Sequence, residues 1–160
     1  MISPECIWPL GAELGEGPVW STGEKAVYFV DIKRKQVHRY ATETRETMTW
    51  PAPSEPGFIV PADDGAFVCG LRKGLYRFDP RTGAFDKLKD VERDVAVNRL
   101  HDGFVDPQGY LWFGSMDDEE KAPTGALYRV SERGEIERRD DGYVITNGPT
   151  TSPDRRPLYH

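Results

Sequence analysis

The chain is short of cysteine, of positive charge and of long apolar runs, and each shortage removes a class of protein. Only Cys6 and Cys69 occur in 160 residues. They lie far apart with no metal-type spacing around either, so both read as reduced and structural. Lys and Arg number 21 against 27 Asp and Glu, a formal net charge of -6, which is the wrong sign for a nucleic-acid partner. No stretch approaches the roughly 18 apolar residues of a spanning helix, so no membrane partner is expected. The start, Met1-Ile2-Ser3-Pro4-Glu5, lacks the basic and apolar regions of a signal peptide, and the expected location is cytoplasmic. Helical periodicity is missing too, because no dozen residues escape a Gly, a Pro or a β-branched cluster. There is no Gly-x-Ser-x-Gly elbow, no Cys beside a His or Asn in a recognisable motif, and no Gly-rich phosphate loop ahead of a helix. Nucleophile-based hydrolases, phosphoryl transfer and dinucleotide chemistry drop out.

What is present is the texture of many short strands: 16 Gly and 13 Pro scattered among aromatics and Val or Ile. A repeat runs through it. Apolar-aromatic runs recur as Ala26-Val27-Tyr28-Phe29-Val30-Asp31, Ala66-Phe67-Val68-Cys69-Gly70, Tyr110-Leu111-Trp112-Phe113-Gly114 and Pro157-Leu158-Tyr159-His160. Each follows a turn rich in Gly, Asp or Pro, the last being Ser152-Pro153-Asp154-Arg155. Second strands follow at Val37-His38-Arg39-Tyr40, Leu75-Tyr76-Arg77-Phe78 and Leu127-Tyr128-Arg129-Val130. Polar outer strands come after them, around Ala84-Phe85 and along Ser131-Glu132-Arg133-Gly134-Glu135-Ile136.

Four strands per roughly 40 to 50 residues is the period of a β-propeller blade. The expected fold is all-β: a partial propeller domain over 1–160, three blades and the start of a fourth. A sandwich or solenoid is the alternative, but neither need repeat one side-chain formula three times. Three blades cannot close a ring, so the chain is expected to be the N-terminal part of a longer one, and alone to self-associate through its open edge. Trp20, Phe29, Trp112, Phe113 and Tyr128 are expected between blades as core.

Loops entering the innermost strands meet at one mouth of a propeller, which narrows the search for chemistry. Those segments are Leu14-Gly15-Glu16-Gly17-Pro18-Val19-Trp20, then 98–106 with Arg99, His101 and Asp102, and then Ile145-Thr146-Asn147-Gly148-Pro149-Thr150. A carboxylate and an amide oxygen aimed at one axis suit a hard divalent cation. The plainer readings are a solvated turn for Glu16, an Asn-Gly turn at Asn147, an exposed charge at Arg99, a structural His101 and a turn role for Asp102. Recurrence at one place in three repeats favours function.

These same segments resemble a known family, the regucalcin (senescence marker protein), gluconolactonase and luciferin-regenerating-enzyme-like group. The likeness also rests on Tyr28-Phe29-Val30-Asp31-Ile32, on Asp106-Pro107-Gln108-Gly109-Tyr110-Leu111-Trp112-Phe113-Gly114-Ser115-Met116 and on Gly125-Ala126-Leu127-Tyr128. The resemblance implies a six-bladed propeller holding one divalent metal (Ca, Zn, Fe, Mn or Mg) and opening a sugar lactone such as glucono-, xylono- or arabinonolactone. Glu16 and Asn147 match metal ligands; Arg99, the position of His101, and Glu119 match substrate contacts. Two departures stand out. Position 101 is usually Asn in the family, so His101 bears on sugar choice. The family's third ligand, an Asp of a later blade and the natural general base, has no counterpart up to His160. The other readings are a calcium- or sugar-binding propeller without turnover and an inactive fragment; oligomeric state is not legible.

Overall fold

Strands end where the Gly, Asp and Pro turns fall, and their pairing is local throughout. The computed structural model describes residues 3–131, 133–154 and 156–160. Met1 and Ile2 of the N-terminal reading, Glu132 of the third outer strand and Arg155 of the last turn lie outside the described residues. Strands β1 (Gly15–Ser21), β2 (Ala26–Asp31), β3 (Gln36–Ala41) and β4 (Thr47–Pro51) form one antiparallel meander. A second consists of β5 (Pro56–Pro61), β6 (Phe67–Leu71), β7 (Gly74–Asp79) and β8 (Ala84–Asp90). The third consists of β9 (Asn98–Val105), β10 (Leu111–Asp117), β11 (Gly125–Val130) and β12 (Ile136–Tyr143), and β13 (Thr150–Thr151) pairs with β14 (Leu158–Tyr159). Among the described residues there is no helix.

The meanders lie face to face because each strand buries alternate side chains. Tyr28, Val30 and Trp50 of the first sheet pack on Ile59, Phe67 and Phe78 of the second. Phe58 and Leu75 of the second pack on Leu100, Phe113 and Tyr128 of the third. Strand β5 touches β1 and β2 on one side and β9 on the other, so the first strand of each sheet lies beside the next. Phe58 needs space on both faces of its own sheet region, and glycines supply it. A Cβ at Gly70 would fall 2.1 Å from its ring, and one at Gly103 would fall 3.0 Å away.

The segments carrying Glu16, Arg99 and His101 are not loops ahead of the inner strands. They are the opening residues of β1 and β9 themselves. Each inner strand continues past them through an irregularity of the bulge kind, one extra residue against its partner. The register slips between Glu16 and Val19 in β1, between Pro56 and Phe58 in β5, and between His101 and Gly103 in β9. Gly17 sits at φ 56° and Asp102 at φ 46°.

The aromatic expectation needs correcting in part. Phe113 and Tyr128 are buried as core, but Trp20 is 50% exposed, because the slip in β1 turns Val19 toward the neighbouring sheet and Trp20 away. Phe29 and Trp112 are only partly buried. Phe29 packs under Trp8 of the N-terminal segment, ring centroids 5.8 Å apart, and the Trp112 Nε1 donates to Asp106 at 2.9 Å. Both cysteines are free; Cys69 is buried, but Cys6 is exposed on that N-terminal segment and is no core residue.

Candidate functional site

The inner strands all begin at one end of the assembly. Pairing of Gly15 with Asp31, Pro56 with Leu71 and Asn98 with Asp117 brings the turns after β2, β6 and β10 to that same end. Close backbone approach then links the strand openings in sequence. A Cβ at Gly17 would lie 3.8 Å from the Phe58 Cα, and one at Gly57 would lie 2.3 Å from the Leu100 carbonyl oxygen and 3.0 Å from the His101 Cα. Gly57 is thus required bare for β5 to lie against β9. The line continues to the fourth unit through Asp102, whose Oδ2 accepts from the Gly148 amide at 2.6 Å.

One local formula recurs along this line. Glu16 precedes Gly17-Pro18 and Asn147 precedes Gly148-Pro149, with both glycines at φ 56°; His101 precedes Asp102-Gly103, with Asp102 in the same left-handed region. Glycine enters that region freely, whereas a non-glycine residue does so at a cost of order 1 kcal/mol or more. Asp102 offsets the cost with two hydrogen bonds, from Gly103 N at 2.9 Å and from Gly148 N. It therefore also pins the segment bearing Asn147 to β9, a long-range tie beyond a turn role.

Arg99 is the most enclosed cation among the described residues of this end, 3% exposed. Its Nε donates to Asp118 Oδ1 at 2.7 Å, and its Nη1 donates to the Leu100 carbonyl at 3.4 Å and to His101 Nδ1 at 3.2 Å. Since a guanidinium only donates, His101 Nδ1 accepts and the proton of the neutral ring sits on Nε2. Burial, then the adjacent Arg99 charge, brings the His101 pKa down to about 4; at neutral pH the ring is an uncharged donor.

Asp118 collects cations from all three four-stranded sheets. Besides Arg99 it receives Arg72 from the turn after β6 and Lys33 Nζ, at 3.4 Å, from the turn after β2. Burial alone would raise its pKa, but the hydrogen bonds from Arg99 and Arg72 and the charges of Arg72 and Lys33 hold it at about 2. Arg72 also pairs with Glu55 at 2.9 Å, and Lys35 reaches Glu55 at 3.3 Å. Glu119, by contrast, is exposed and pairs with Lys121 at 2.8 Å. The acid that grips Arg99 is its neighbour Asp118, which lies in the run Asp117-Asp118-Glu119-Glu120. Nothing in that run says which carboxylate faces inward.

Two further acids hold the frame. Asp31, fully buried at the end of β2, accepts from the amides of Glu13 at 2.9 Å and Leu14 at 3.1 Å and so sets the entry into β1. Asp117 does the same after β10, accepting from Glu119, Lys121 and Ala122 amides.

Glu16 is partly buried and forms no hydrogen bond or ion pair among the described residues, so its carboxylate is available to a ligand; Asn147 is exposed. Their oxygens fit a hard divalent cation in kind. Among the described residues no group of three His, Cys, Asp or Glu side chains could hold a metal ion, so these two donors are a partial set.

Residues 14–160 match the SMP-30/Gluconolactonase/LRE-like region. The chain belongs to this family. It is 30% identical over 156 residues to the 6-deoxy-6-sulfogluconolactonase of Pseudomonas putida, covering 98% of this chain and 54% of that protein. It is 33% identical over 150 residues to the L-arabinolactonase of Azospirillum brasilense, covering 91% and 50%. Among solved structures, the calcium-binding protein regucalcin of Agrobacterium tumefaciens superposes with a TM-score of 0.83 at 25% identity, over 89% of this chain and 48% of that one. The chain spans about half the length of the relatives it matches. Family membership is what the motif segments implied.

Proposed function

We propose that the three meanders are blades of a β-propeller and that residues 1–160 form part of one propeller domain of a metal-dependent sugar lactonase, opening an aldonolactone to its aldonic acid. The observation that supports this reading is the local formula repeated at Glu16-Gly17, His101-Asp102 and Asn147-Gly148, with the buried guanidinium of Arg99 hydrogen-bonded to His101. The relatives' lactonase names support the reaction class, and the calcium-binding regucalcin supports a divalent ion.

In the reaction, water adds to the lactone carbonyl carbon, the ring C–O bond breaks, and the freed alkoxide takes a proton to give the hydroxy acid. Glu16 and Asn147 would hold the metal, which supplies carbonyl polarisation and a lowered pKa for bound water. Arg99 and His101 do the positioning. The Arg99 Nη2 has no protein partner among the described residues, and His101 presents Nε2–H as a neutral donor; both suit sugar hydroxyl oxygens. Asp102 is occupied by backbone amides and is not the base. The reading requires a further carboxylate as third ligand and base.

Acid release from glucono-, xylono- and arabinonolactone, followed with and without chelator, tests this. Loss of release on chelation, and in Glu16→Gln and Asn147→Ala together with metal affinity, is expected; an unchanged rate in either variant would sink the metal assignment. A second reading, binding of calcium or sugar without turnover, is favoured by the regucalcin likeness alone. Metal binding with no acid release would select it.

A further inference from the structure

Glu55, Arg72, Asp118 and Arg99 form a continuous line of ion pairs that ends on the His101 ring. Glu55 Oε2 accepts from Arg72 Nε at 2.9 Å, the Arg72 Nη2 donates to Asp118 Oδ2, and Asp118 Oδ1 accepts from Arg99 Nε at 2.7 Å. Signs alternate along the line. Arg99 then donates from Nη1 to His101 Nδ1 at 3.2 Å. Both Asp118 oxygens are engaged, and Lys33 Nζ lies 3.4 Å from Oδ1, so partners from three sheets restrain the carboxylate from turning. It is the acid that fixes the Arg99 fork.

The inner end of the line is open. His101 Nε2 and Arg99 Nη2 have no hydrogen-bond partner among the described residues. Neither atom is sealed, because the buried side-chain nitrogens without a partner among the described residues are His38 Nε2 and Arg129 Nε. Two residues only 6% and 3% exposed therefore each bring free N–H to the surface. A guanidinium can only donate, so its bond to Nδ1 leaves Nε2 as the protonated nitrogen of the neutral ring. The pair offers donors and no acceptor, which suits the oxygens of a ligand.

We propose that Asp118 is a positioning residue of this site: its grip on Arg99 Nε holds the guanidinium against His101 and so keeps the two free donors together for the ligand. The inference rests on the lactonase reading for the ligand; the coupling of Asp118 to His101 does not depend on that reading.

Titration of His101 reports this coupling, and its direction is diagnostic. The charges acting on the ring are Arg99, which lowers its pKa, and Asp102, which raises it; Asp118, Arg72 and Lys33 stand behind Arg99. If Arg99 stayed in place without Asp118, removing a negative charge could only lower the His101 pKa further. If Asp118 is what holds Arg99, the enclosed guanidinium is left with neutral acceptors alone and turns toward solvent. The His101 pKa then rises toward its ordinary 6.5.

The test is an NMR titration of the imidazole resonances between about pH 8 and about pH 4.5 in the parent chain, Asp118→Ala, Asp118→Glu and Arg99→Gln. The chain has 3 histidines, and His101→Asn assigns the signal. Arg99→Gln shows the rise produced by losing the guanidinium altogether. Asp118→Ala should give at least about half of that rise, and Asp118→Glu, which restores the charge, should reverse most of it. A His101 pKa unmoved or lowered in Asp118→Ala would overturn the proposal. A measurement on the parent alone covers the case in which Asp118→Ala does not fold: the Arg99 Nε–H should exchange with solvent at least about tenfold more slowly than those of exposed arginines, and exchange at their rate would overturn the proposal as well. Acid release from gluconolactone is read in the same proteins. Where the parent releases acid, Asp118→Ala should lower kcat/KM at least about tenfold, and an unchanged value would refute the positioning role. No release from the parent would instead refute the hydrolase reading, with titration and exchange still deciding the role of Asp118.

Discussion

Replacing Asp118 with alanine removes the one acid that Arg99 meets among the described residues. The guanidinium would then lie 3% exposed with only the Leu100 carbonyl and His101 Nδ1 as acceptors. Breaking a fully buried pair costs about 3 to 5 kcal/mol. Asp118 is itself 20% exposed, so water partly replaces it and about 2 to 3 kcal/mol is the expected loss. An independent route gives a similar figure. Holding the Asp118 carboxyl at about 2 rather than its ordinary 3.8 is worth about 2 kcal/mol, at about 1.4 kcal/mol per pH unit. The sign follows from the depressed value: the stabilisation is complete above the unfolded carboxyl's pKa and is lost as pH falls through the folded one. At pH 3 about half should remain. Urea unfolding of the parent chain and Asp118→Ala at pH 7 and pH 3 measures both points. Glu119→Ala is the control, since its pair with Lys121 is exposed on both sides and should contribute less than about 0.5 kcal/mol. If Asp118→Ala is no more destabilising than Glu119→Ala, or if its penalty is the same at both pH values, the account of Asp118 and its cations is wrong.

His101 gives a pH dependence of the same sign at higher pH. Its folded pKa of about 4 lies below its ordinary 6.5, so the unfolded chain takes up a proton first, and about 3 kcal/mol of stability should drain away between pH 6.5 and 4. His101→Asn should flatten that part of the stability profile measured by urea midpoints, and an unaltered slope would show that the ring titrates normally. Gly57→Ala is expected to lose at least about 2 kcal/mol, because the added methyl meets backbone at 2.3 Å and cannot be relieved by a rotamer change. Gly109→Ala meets nothing within 4 Å and suffers only its backbone conformation, φ 90°. Thermal melts showing the Gly57 substitution as the milder of the two would contradict the close approach of β5 to β9.

Most of the architecture was legible because its signals are local. Asp63-Asp64-Gly65 and Asp106-Pro107-Gln108-Gly109 become turns through side-chain to amide bonds that need no tertiary context: Asp64 accepts from Ala66, and Asp106 accepts from Gln108 and Tyr110. The inner strands were harder to read. Pro56-Gly57-Phe58-Ile59-Val60-Pro61 has prolines at both ends and a glycine inside, which argues against a strand. It forms β5 because its neighbours on both sides supply the packing. Trp20 was misjudged for a related reason. Hydrophobic alternation carries a parity, and the slip in β1 reverses it, sending Val19 inward and Trp20 out. Asp118 was missed because four consecutive acids carry no periodicity that singles out one. Only the positions of Arg72 and Lys33, brought in from sequence positions 46 and 85 residues away, decide it.

The slipped registers unite fold and site. A regular strand would send residues 16, 17 and 18 alternately to its two faces and would continue its ladder to the end. An extra residue at the opening of each inner strand breaks the ladder there and re-aims the side chain beside it. Glycine permits this at positions 17 and 57 without a Cβ to clash, while at 102 an aspartate occupies the same left-handed region and turns its carboxylate to the Gly148 amide. That carboxylate ties the fourth unit to the third beside Asn147, alongside the Thr146 Oγ1 bond to the Ser115 carbonyl. The substitution Asp102→Gly would keep the backbone conformation and lose the tie. Thr146, whose Oγ1 donates to the Ser115 carbonyl at 3.0 Å, would still hold the segment on β10, so the expected loss is confined to the Gly148 side of Asn147 while the pairing of β9 with β10 persists.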